Sequence, residues 1–331
     1  MLRVPRGRLP LTSADRHAAL RDYFCDKDAD AELDGADWKL ILSWPDGDDR
    51  HVDPRLGEGL RWWGQGVERR DMALAHRRQG RITSALYDTW TLHSWSEWLA
   101  GREMTEDVLI LHVDDHRDLG SPRLFVDPTG GWRDPISNEP CVLTNPSSVQ
   151  AAIESGALGM GSFLTPFLHR FPRAEVRHLC QPPKAVRTVD YEIRPTFAPD
   201  DLLELGRLRP AIDLVEAEPS PGAGRYRVTP SVEAWLADVR PGPVILHIDM
   251  DYFNNRFDGD SDWSVRPNAF DPTLPRILEK IDEMTDALAR TGVGVRIEDV
   301  VIAYSPGFFP AEFWAPAEAR LRPSLERLYG G

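Results

Sequence analysis

Two short apolar runs in the chain closely resemble each other, and each ends abruptly in carboxylates. The first is Ile-Leu-His-Val followed by Asp114, and the second is Ile-Leu-His-Ile followed by Asp249. Short continuous apolar runs predict strands that are buried on both faces, as in a parallel sheet. The pattern therefore predicts two buried strands that end in acidic residues.

Strands and helices are predicted to alternate along the rest of the chain. The clearest helix spans residues 275–290, where apolar side chains recur on one face. Other predicted helices are residues 13–23, 93–99, 148–155 and 229–239, and the predicted strands are residues 38–44, 107–113, 174–179, 188–193, 244–248 and 299–303. This alternation predicts an α/β protein with a mostly parallel sheet covered on both faces. We expect one domain over residues 1–331, with residues 1–36 as a peripheral N-terminal segment.

Charge and composition narrow the class of protein. The 331 residues include 39 Lys and Arg against 53 Asp and Glu, a net charge of −14. Such acidity disfavours nucleic acid and anionic membranes as partners and is compatible with a basic substrate. Three scattered cysteines make no disulfide framework, and no apolar run approaches the roughly 18 residues of a membrane-spanning helix. We therefore expect a cytoplasmic protein.

The acidic strand ends point to a metal site. On a strand, residues two apart share a face, so His112 and Asp114 point the same way, as do Asp249 and Asp251. Together with Asp118 these segments would gather four negative charges, which is costly unless cations neutralise them. Solvated loop aspartates or helix caps are the alternative for any one of them. The repeated spacing favours two divalent cations.

Oxygen ligands with a minority of imidazoles suit Mn²⁺, and are also compatible with Fe²⁺ or Co²⁺. Two such ions roughly 3.5–4 Å apart activate water near neutral pH. His116 lies between Asp114 and Asp118, and His93 is a candidate for a second imidazole. The alternative for His93 is an ordinary helix residue.

Three segments resemble the arginase, agmatinase and deacetylase superfamily. Asp114-Asp115-His116-Arg117-Asp118 resembles its Asp-Ala-His-x-Asp signature, Asp249-x-Asp251 resembles its second motif, and His93-Ser94 resembles its first. The resemblance implies a three-layer α/β/α fold and a hydrolase that releases urea from a guanidinium group. It also implies two manganese ions per chain, bound by His93, Asp114, His116, Asp118, Asp249 and Asp251.

The details differ from ordinary arginases. Thr91-Leu92 precedes His93, and the family's glutamate motif after the last strand is replaced by Tyr304-Ser305. Residues 158–169, 247–255 and 304–314 instead resemble the peptide arginases, which convert arginine to ornithine in ribosomally made peptides. This resemblance implies an arginine-containing precursor peptide as partner. The alternatives are a small-guanidine ureohydrolase, a metal-dependent deacylase, or a non-catalytic binding module stabilised by metal. The oligomeric state, including a homo-oligomer, stays open.

Further residues could complete such a site. Glu312 is a candidate for the carboxylate that orients the guanidinium, and His169 is a candidate general acid. For each of them, the alternative is an ordinary residue near a helix end. His112 and His247 are predicted to support the metal ligands from beneath. Two looser predictions are a peptide groove lined by tryptophans and a substrate rim, which involve Trp62, Trp63, Trp90, Trp95, Trp98, Asn255, Arg256 and Asp258.

Overall fold

The structure is a computed structural model that describes residues 2–48, 51–102, 108–217, 220, 222–260, 262–266 and 270–329. Its N-terminal part consists of β1 (Leu2–Pro5), α1 (Ser13–Phe24), β2 (Asp28–Asp34) and β3 (Asp37–Ser43). The three strands form an antiparallel sheet in the order β1-β3-β2. The Tyr23 hydroxyl donates a hydrogen bond to Asp200 at 2.7 Å, which ties this part to the rest of the chain.

A nine-stranded sheet organises the remaining described residues, in the order β12-β11-β13-β10-β6-β14-β15-β5-β4. Its strands are β4 (His76–Gln79), β5 (Ile82–Ala85), β6 (Leu109–Val113), β10 (Glu175–Leu179), β11 (Val189–Pro199), β12 (Leu208–Glu216), β13 (Gly224–Thr229), β14 (Val244–Asp249) and β15 (Ile297–Ala303). The run from β13 to β5 is parallel, and antiparallel strands flank it at both edges. Three short strands, β7 (Phe125–Val126), β8 (Trp132–Arg133) and β9 (Pro140–Cys141), form a separate small sheet.

Helices cover both faces of the large sheet. They are α2 (Leu56–Trp63), α3 (Trp90–Leu99), α4 (Pro146–Ser155), α5 (Leu164–Arg170), α6 (Val232–Leu236), α7 (Leu274–Arg290) and α8 (Trp314–Tyr329). One apolar core lies under α2, α6, α7 and α8, and a second lies under α3, α4 and α5. Short 3-10 helices occur at Arg6–Arg8, Arg69–Leu74, Met250–Tyr252, Trp263–Val265, Gly294–Arg296 and Ala311–Phe313. No helix in the described part of the chain is long and apolar enough to cross a membrane.

Burial on both faces explains the composition of the two central strands. In β6, Leu109, Leu111 and Val113 pack into the first core, whereas Ile110 packs into the second. Strand β14 repeats this alternation with Ile245 on the second-core face. Because strand side chains alternate, the next inward residues after Ile110 and Ile245 are histidines on that same face. The sheet thus carries a polar layer at one end of two of its fully buried strands.

The connections reverse direction between β6 and β14. After β6 the chain adds β10 and β13 on one side, and after β14 it adds β15 on the other. The carboxyl ends of two parallel strands whose connections diverge leave a crevice, which is the usual ligand site of open α/β sheets. Asp114 and Asp249 stand at this crevice.

The α/β class and the mostly parallel sheet are confirmed. The predicted strands at 38–44, 174–179, 244–248 and 299–303 and the helices at 13–23 and 275–290 are present with small shifts. The strand predicted at 107–113 is described from Leu109, and Asp107 lies outside the described residues. The helix predicted at 229–239 is shorter, because β13 continues through Thr229.

Candidate metal centre

Five of the six predicted ligands converge at the crevice. Asp114, His116 and Asp118 follow β6, Asp249 ends β14, and Asp251 lies in the short 3-10 helix that comes next. The four carboxylates are buried, with exposed fractions of 0% for Asp114, 6% for Asp118, 5% for Asp249 and 1% for Asp251. Residues of the two separated segments therefore lie next to each other at one end of the sheet.

The loop after β6 turns sharply to aim its side chains inward. Asp114 Oδ1 accepts a hydrogen bond from the backbone N–H of His116 at 2.5 Å. Asp118 has a φ of +53°, a conformation that few residues other than glycine adopt. Among the non-glycine residues with positive φ in the described chain, Cys25, Asp118, Asp258 and Ser305 all lie at this site or its cavity. Strained backbone of this kind concentrates at functional sites.

The end of β14 is fixed by its own hydrogen bonds. Asp249 accepts from the Ser305 hydroxyl at 2.5 Å and from the backbone N–H of Asp251 at 3.1 Å. Asp251 in turn accepts from the backbone N–H of Asp115 at 3.1 Å, which joins the two loops. Asp251 Oδ2 lies 2.8 Å from His116 Nδ1. The two segments thus hold each other in register.

A carboxylate orients the imidazole of His116. Nδ1 faces the metal carboxylates, and Nε2 lies 3.1 Å from Asp258 Oδ1. Lys184 donates to Asp258 at 3.1 Å and is paired with Asp115 at 2.7 Å. A ligating histidine whose second nitrogen donates to a carboxylate is the usual arrangement in metal sites. Asp258, predicted as a substrate rim residue, lies beside the predicted ligand His116, together with Lys184 Nζ at 2.9 Å from the same Nε2.

Three buried histidines lie beneath the carboxylates, and their partners fix their tautomers. His112 Nε2 donates to the carbonyl oxygen of His116 at 3.1 Å, so its Nδ1 accepts from His247 Nδ1 at 3.0 Å. His178 donates to the carbonyl of Asp114 at 2.9 Å and accepts from the Tyr226 hydroxyl at 2.8 Å. Burial lowers the pKa of His112, and burial and the nearby His112 lower those of His178 and His247. This neutral layer supports the aspartates from below, as the sequence predicted for His112 and His247.

The carboxylates repel one another in the absence of a cation. Burial, then the charges of Asp118, Asp251 and Asp249, raises the pKa of Asp114 well above its usual range. Burial and Asp251 raise the pKa of Asp249 in the same way. At His116, burial lowers the pKa, but the surrounding aspartates outweigh it and raise the pKa strongly. The site therefore favours positive charge.

Two carboxylate oxygens of the site have no hydrogen-bond partner in the described part of the chain, which bears on whether a cation fits there. Asp114 Oδ2 and Asp118 Oδ2 are buried and accept no hydrogen bond from the described residues. A buried carboxylate oxygen without a partner is costly, and a cation removes that cost. Ligand atoms of His112, Asp114, Asp118 and His247, and separately of Asp114, His116 and Asp251, lie within 4.8 Å of one another. This buried cluster could hold a metal ion.

A cavity of about 380 Å³ opens above the cluster. Its floor includes Asp118, Asp249 and Asp251, and its wall includes Phe308 and Gly161. The N-terminal part contributes Arg21, Cys25, Asp26 and Pro45, and the following segment contributes His51. Residues 1–36, predicted as peripheral, therefore form part of the cavity wall.

The structure places His93 away from the cluster, which corrects its assignment as a ligand. The His93 ring packs 5.3 Å from the Trp90 ring and 5.9 Å from the His76 ring, beside the edge strand β4. Within the described residues it belongs to no group close enough to share a metal. The physical reason is that α3 begins at Trp90 and not at the predicted residue 93, so His93 lies one turn inside the helix, where its ring packs beside Trp90 and His76.

Two further predictions also need correction. His169 donates to the Ala211 carbonyl at 2.8 Å beside the β11–β12 hairpin, and it does not line the cavity. Glu312 already binds a guanidinium of this chain, since Arg256 donates to its Oε1 at 2.6 Å. Neither residue is placed to act on a substrate in the cavity. The tryptophans form core: Trp63, Trp90, Trp95 and Trp98 are buried.

Sequence reasoning missed Asp88. This residue follows β5, is 3% exposed and lines the same cavity. Its Oδ2 accepts from the backbone N–H of Gly161 at 2.7 Å, and its Oδ1 has no partner among the described residues. The available signal was the same as at the other strands, an aspartate directly after an apolar run, here Ala85-Leu86-Tyr87.

Comparisons with known proteins add no assignment. Neither the protein-family models nor the curated proteins contain a match to this chain. The functional argument therefore depends on the geometry and chemistry of the site.

Proposed function

We propose that this protein is a manganese-dependent ureohydrolase that acts on arginine residues of a peptide and leaves ornithine and urea. The observation that carries the proposal is the set of four buried carboxylates and the half-buried His116, with two unpaired carboxylate oxygens, at the crevice between β6 and β14. The metal pair would be held by Asp114, His116, Asp118, Asp249 and Asp251. When bound, it would supply activated water near neutral pH.

The donor set supports manganese over a thiol-preferring metal. Four carboxylates and one imidazole face the crevice, and oxygen-rich sets of this kind suit Mn²⁺. Cys180 is a buried thiol near the site, but its sulfur contacts the Asp115 carbonyl and burial raises its pKa to about 12. A Cys180 thiolate is therefore unfavourable as a ligand. Four negative charges also match the +4 of two ions better than the +2 of one.

The fold supports the same family of enzymes. The parallel sheet with helices on both faces is compatible with the three-layer arginase-like fold that the sequence motifs imply. Ser305, which stands where the family has its glutamate motif, hydrogen-bonds the ligand Asp249. This position therefore serves the metal centre, and the substrate guanidinium needs a different carboxylate.

The shape of the cavity supports a peptide substrate. The 380 Å³ cavity adjoins a second cavity of about 220 Å³, and both are lined by Cys25, Gly120 and Met160. The second cavity offers space for the residues next to the arginine in a peptide. Free arginine does not need this space. Recognition beyond the reacting group is typical where remote binding energy positions a substrate.

The direct test is a mass and urea assay. Protein loaded with Mn²⁺ is incubated with a short peptide containing one arginine, with free arginine, and with agmatine. We expect urea release and conversion of arginine to ornithine only with the peptide. Turnover of free arginine or agmatine in place of the peptide would establish the small-guanidine alternative. One tightly bound zinc with no urea from any guanidine would contradict the proposal altogether.

Asp118→Asn tests the metal assignment. The change removes one ligand charge while keeping the side chain's shape, so we expect loss of at least one Mn²⁺ per chain and a fall in urea release of about 100-fold or more. Metal content by mass spectrometry and urea release are the measurements. Asp22→Asn, an exposed residue outside the cavity lining, gives the same change in net charge. It should behave as the wild type.

A further inference from the structure

Asp88 lies at the same end of the large sheet as the proposed metal ligands. Strand β15 lies between β5 and β14, and its Ala303 is paired with Ala85 on one side and with Asp249 on the other. Asp88 comes three residues after Ala85, much as Asp251 comes two residues after Asp249. Because the three strands are parallel, their carboxyl ends meet along one edge of the sheet. Strand β5 therefore brings a carboxylate to the crevice, as β6 and β14 do.

Contacts on two sides hold Asp88 near two of the proposed ligands. The Gly161 N–H donates to Asp88 Oδ2 at 2.7 Å, and a Cβ on Gly161 would lie 3.7 Å from Asp118 Oδ1. This glycine thus lies between two carboxylates. On the other side, Ser305 donates its backbone N–H to the segment just before Asp88 at 3.0 Å and its hydroxyl to Asp249 at 2.5 Å.

One oxygen of Asp88 has the surroundings of a ligand atom. The residue is 3% exposed and lines the cavity together with Asp118, Asp249 and Asp251. Its Oδ1 is buried and has no hydrogen-bond partner among the described residues, as is also true of Asp114 Oδ2 and Asp118 Oδ2. Burial, and then the charge of Asp118, raises the pKa of Asp88. A buried carboxylate oxygen in this position needs a proton or a cation.

We propose that Asp88 is a sixth metal ligand, which takes the place that His93 leaves empty. This inference rests on the metal pair of the proposed function and assigns Asp88 to the side of Asp118 and Asp249. Like Asp249, Asp88 lies outside the groups whose ligand atoms are all within 4.8 Å of one another. Repulsion between carboxylates keeps them apart in the absence of a cation, so both side chains would move closer when an ion binds.

The assignment makes the two ions chemically different. His116 belongs to a compact group with two carboxylates, so one ion would have an imidazole nitrogen among its ligands. Asp88, Asp118 and Asp249 would give the other ion carboxylate oxygens. Oxygen ligands suit hard cations such as Mg²⁺, whereas imidazole favours transition metals. Mg²⁺ should therefore displace one of the two Mn²⁺ ions more readily than the other.

The test counts the manganese ions that each protein binds. Wild type and Asp88→Asn are dialysed against a series of Mn²⁺ concentrations, and their metal content is measured by mass spectrometry. Wild type should bind two ions per chain. Asp88→Asn should bind one, with the second at least about 10-fold weaker, because asparagine can still accept from Gly161 but carries no charge.

Asp26→Asn is the matched control. Asp26 is also buried and lines the same cavity, and it accepts from the Met160 N–H at 2.9 Å. In the described part of the chain, however, none of its buried oxygens lacks a partner. The control should bind two ions with the affinity of the wild type. Loss of an ion from Asp26→Asn as well would overturn the inference, since the lower charge of the cavity would then explain both losses.

Two ions bound by Asp88→Asn with wild-type affinity would also overturn the inference. If that variant lost only its preference for arginine peptides, Asp88 would be a substrate-binding residue instead. Competition with Mg²⁺ gives a second measurement that needs no variant, and parallel displacement of both ions, or a single ion in the wild type, would contradict the assignment. Because none of these measurements requires turnover, absence of urea release would count against the proposed reaction alone.

Discussion

At the scale of single residues, the site is built from aspartates whose charges repel one another in the absence of a cation. Asp114 illustrates this, since one oxygen accepts from His116 and the other has no partner among the described residues. His112 and His247 lie 3.7 and 3.8 Å from that second oxygen, but their N–H groups point to other acceptors. The orphaned oxygen is the local sign that the site could hold a cation.

Asp114→Asn should therefore stabilise the metal-free protein. The pKa of Asp114 is raised from 3.8 in the folded state, so the folded protein binds more protons than the unfolded chain above about pH 4 and its stability falls as pH rises. The advantage of the variant should be absent near pH 4 and grow as pH increases. Urea unfolding with a chelator measures this difference.

With saturating Mn²⁺, the wild type should be more stable than Asp114→Asn. Wild type should gain about 2.7 kcal/mol at a metal concentration 100-fold above Kd, and the variant should lose most of that gain. A metal-free variant that is less stable than the wild type at neutral pH would contradict the proposed charge repulsion.

At the scale of elements, close contacts between helices keep the sheet covered. Helix α2 crosses the start of α8, and a Cβ at Gly59 would lie 2.6 Å from the Trp314 ring and 2.8 Å from Ala311 Cβ. Only glycine allows this approach. The same helix contains Gly57, where a Cβ would meet only the end of the Arg61 side chain at 3.5 Å. The two glycines therefore serve as a matched pair.

Gly59→Ala should lower the free energy of unfolding by about 1–3 kcal/mol, because the added methyl group forces the helices apart. Gly57→Ala should leave stability unchanged or raise it by up to about 1 kcal/mol, since alanine favours the helix. Thermal or urea unfolding measures both. Equal effects of the two changes would show that backbone freedom, and not helix contact, decides the outcome.

The elements that the sequence predicted well are those with one dominant signal. Strands β6 and β14 are continuous apolar runs, and α7 has a regular apolar face. Strand β13 was missed because Arg225 and Arg227 interrupt its apolar pattern, and the structure explains them by their ion pairs with Asp190 at 2.9 and 2.8 Å. Helix α8 contains Pro323, which argues against a helix in sequence. His93 was misassigned because His-Ser is a short motif, and the sequence does not show that α3 begins one turn earlier, at Trp90.

At the scale of the whole molecule, acidity and architecture act together. The chain carries a net charge of −14, and the floor of its cavity is acidic. The N-terminal part forms one side of this cavity with Arg21, Cys25 and Asp26. The sequence predicted the metal-binding half of the cavity from its motifs. It could not predict the other half, because Asp26 lies in no recognisable pattern and its place at the cavity depends on contacts between the N-terminal part and distant residues, such as the Tyr23–Asp200 hydrogen bond.

Ionic strength should reveal this long-range charge. The kcat/KM for an arginine peptide with several basic residues should fall about 10-fold or more between low and physiological salt, because screening weakens attraction of the cation to an acidic protein. A peptide with one arginine and compensating acidic residues should respond much less. Steady-state kinetics over a salt series measures both. Parallel salt curves for the two peptides would argue against electrostatic steering.

The hydrogen bond between His112 and His247 joins residues 135 positions apart. During synthesis, the ribosome must therefore release most of the chain before the crevice can exist, since contacts of such long range form late. A nascent chain stalled before Asp249 has only the Asp-x-His-x-Asp loop and should be unable to retain manganese. Metal uptake would then mark completion of folding, and a cell short of manganese would accumulate finished but empty protein.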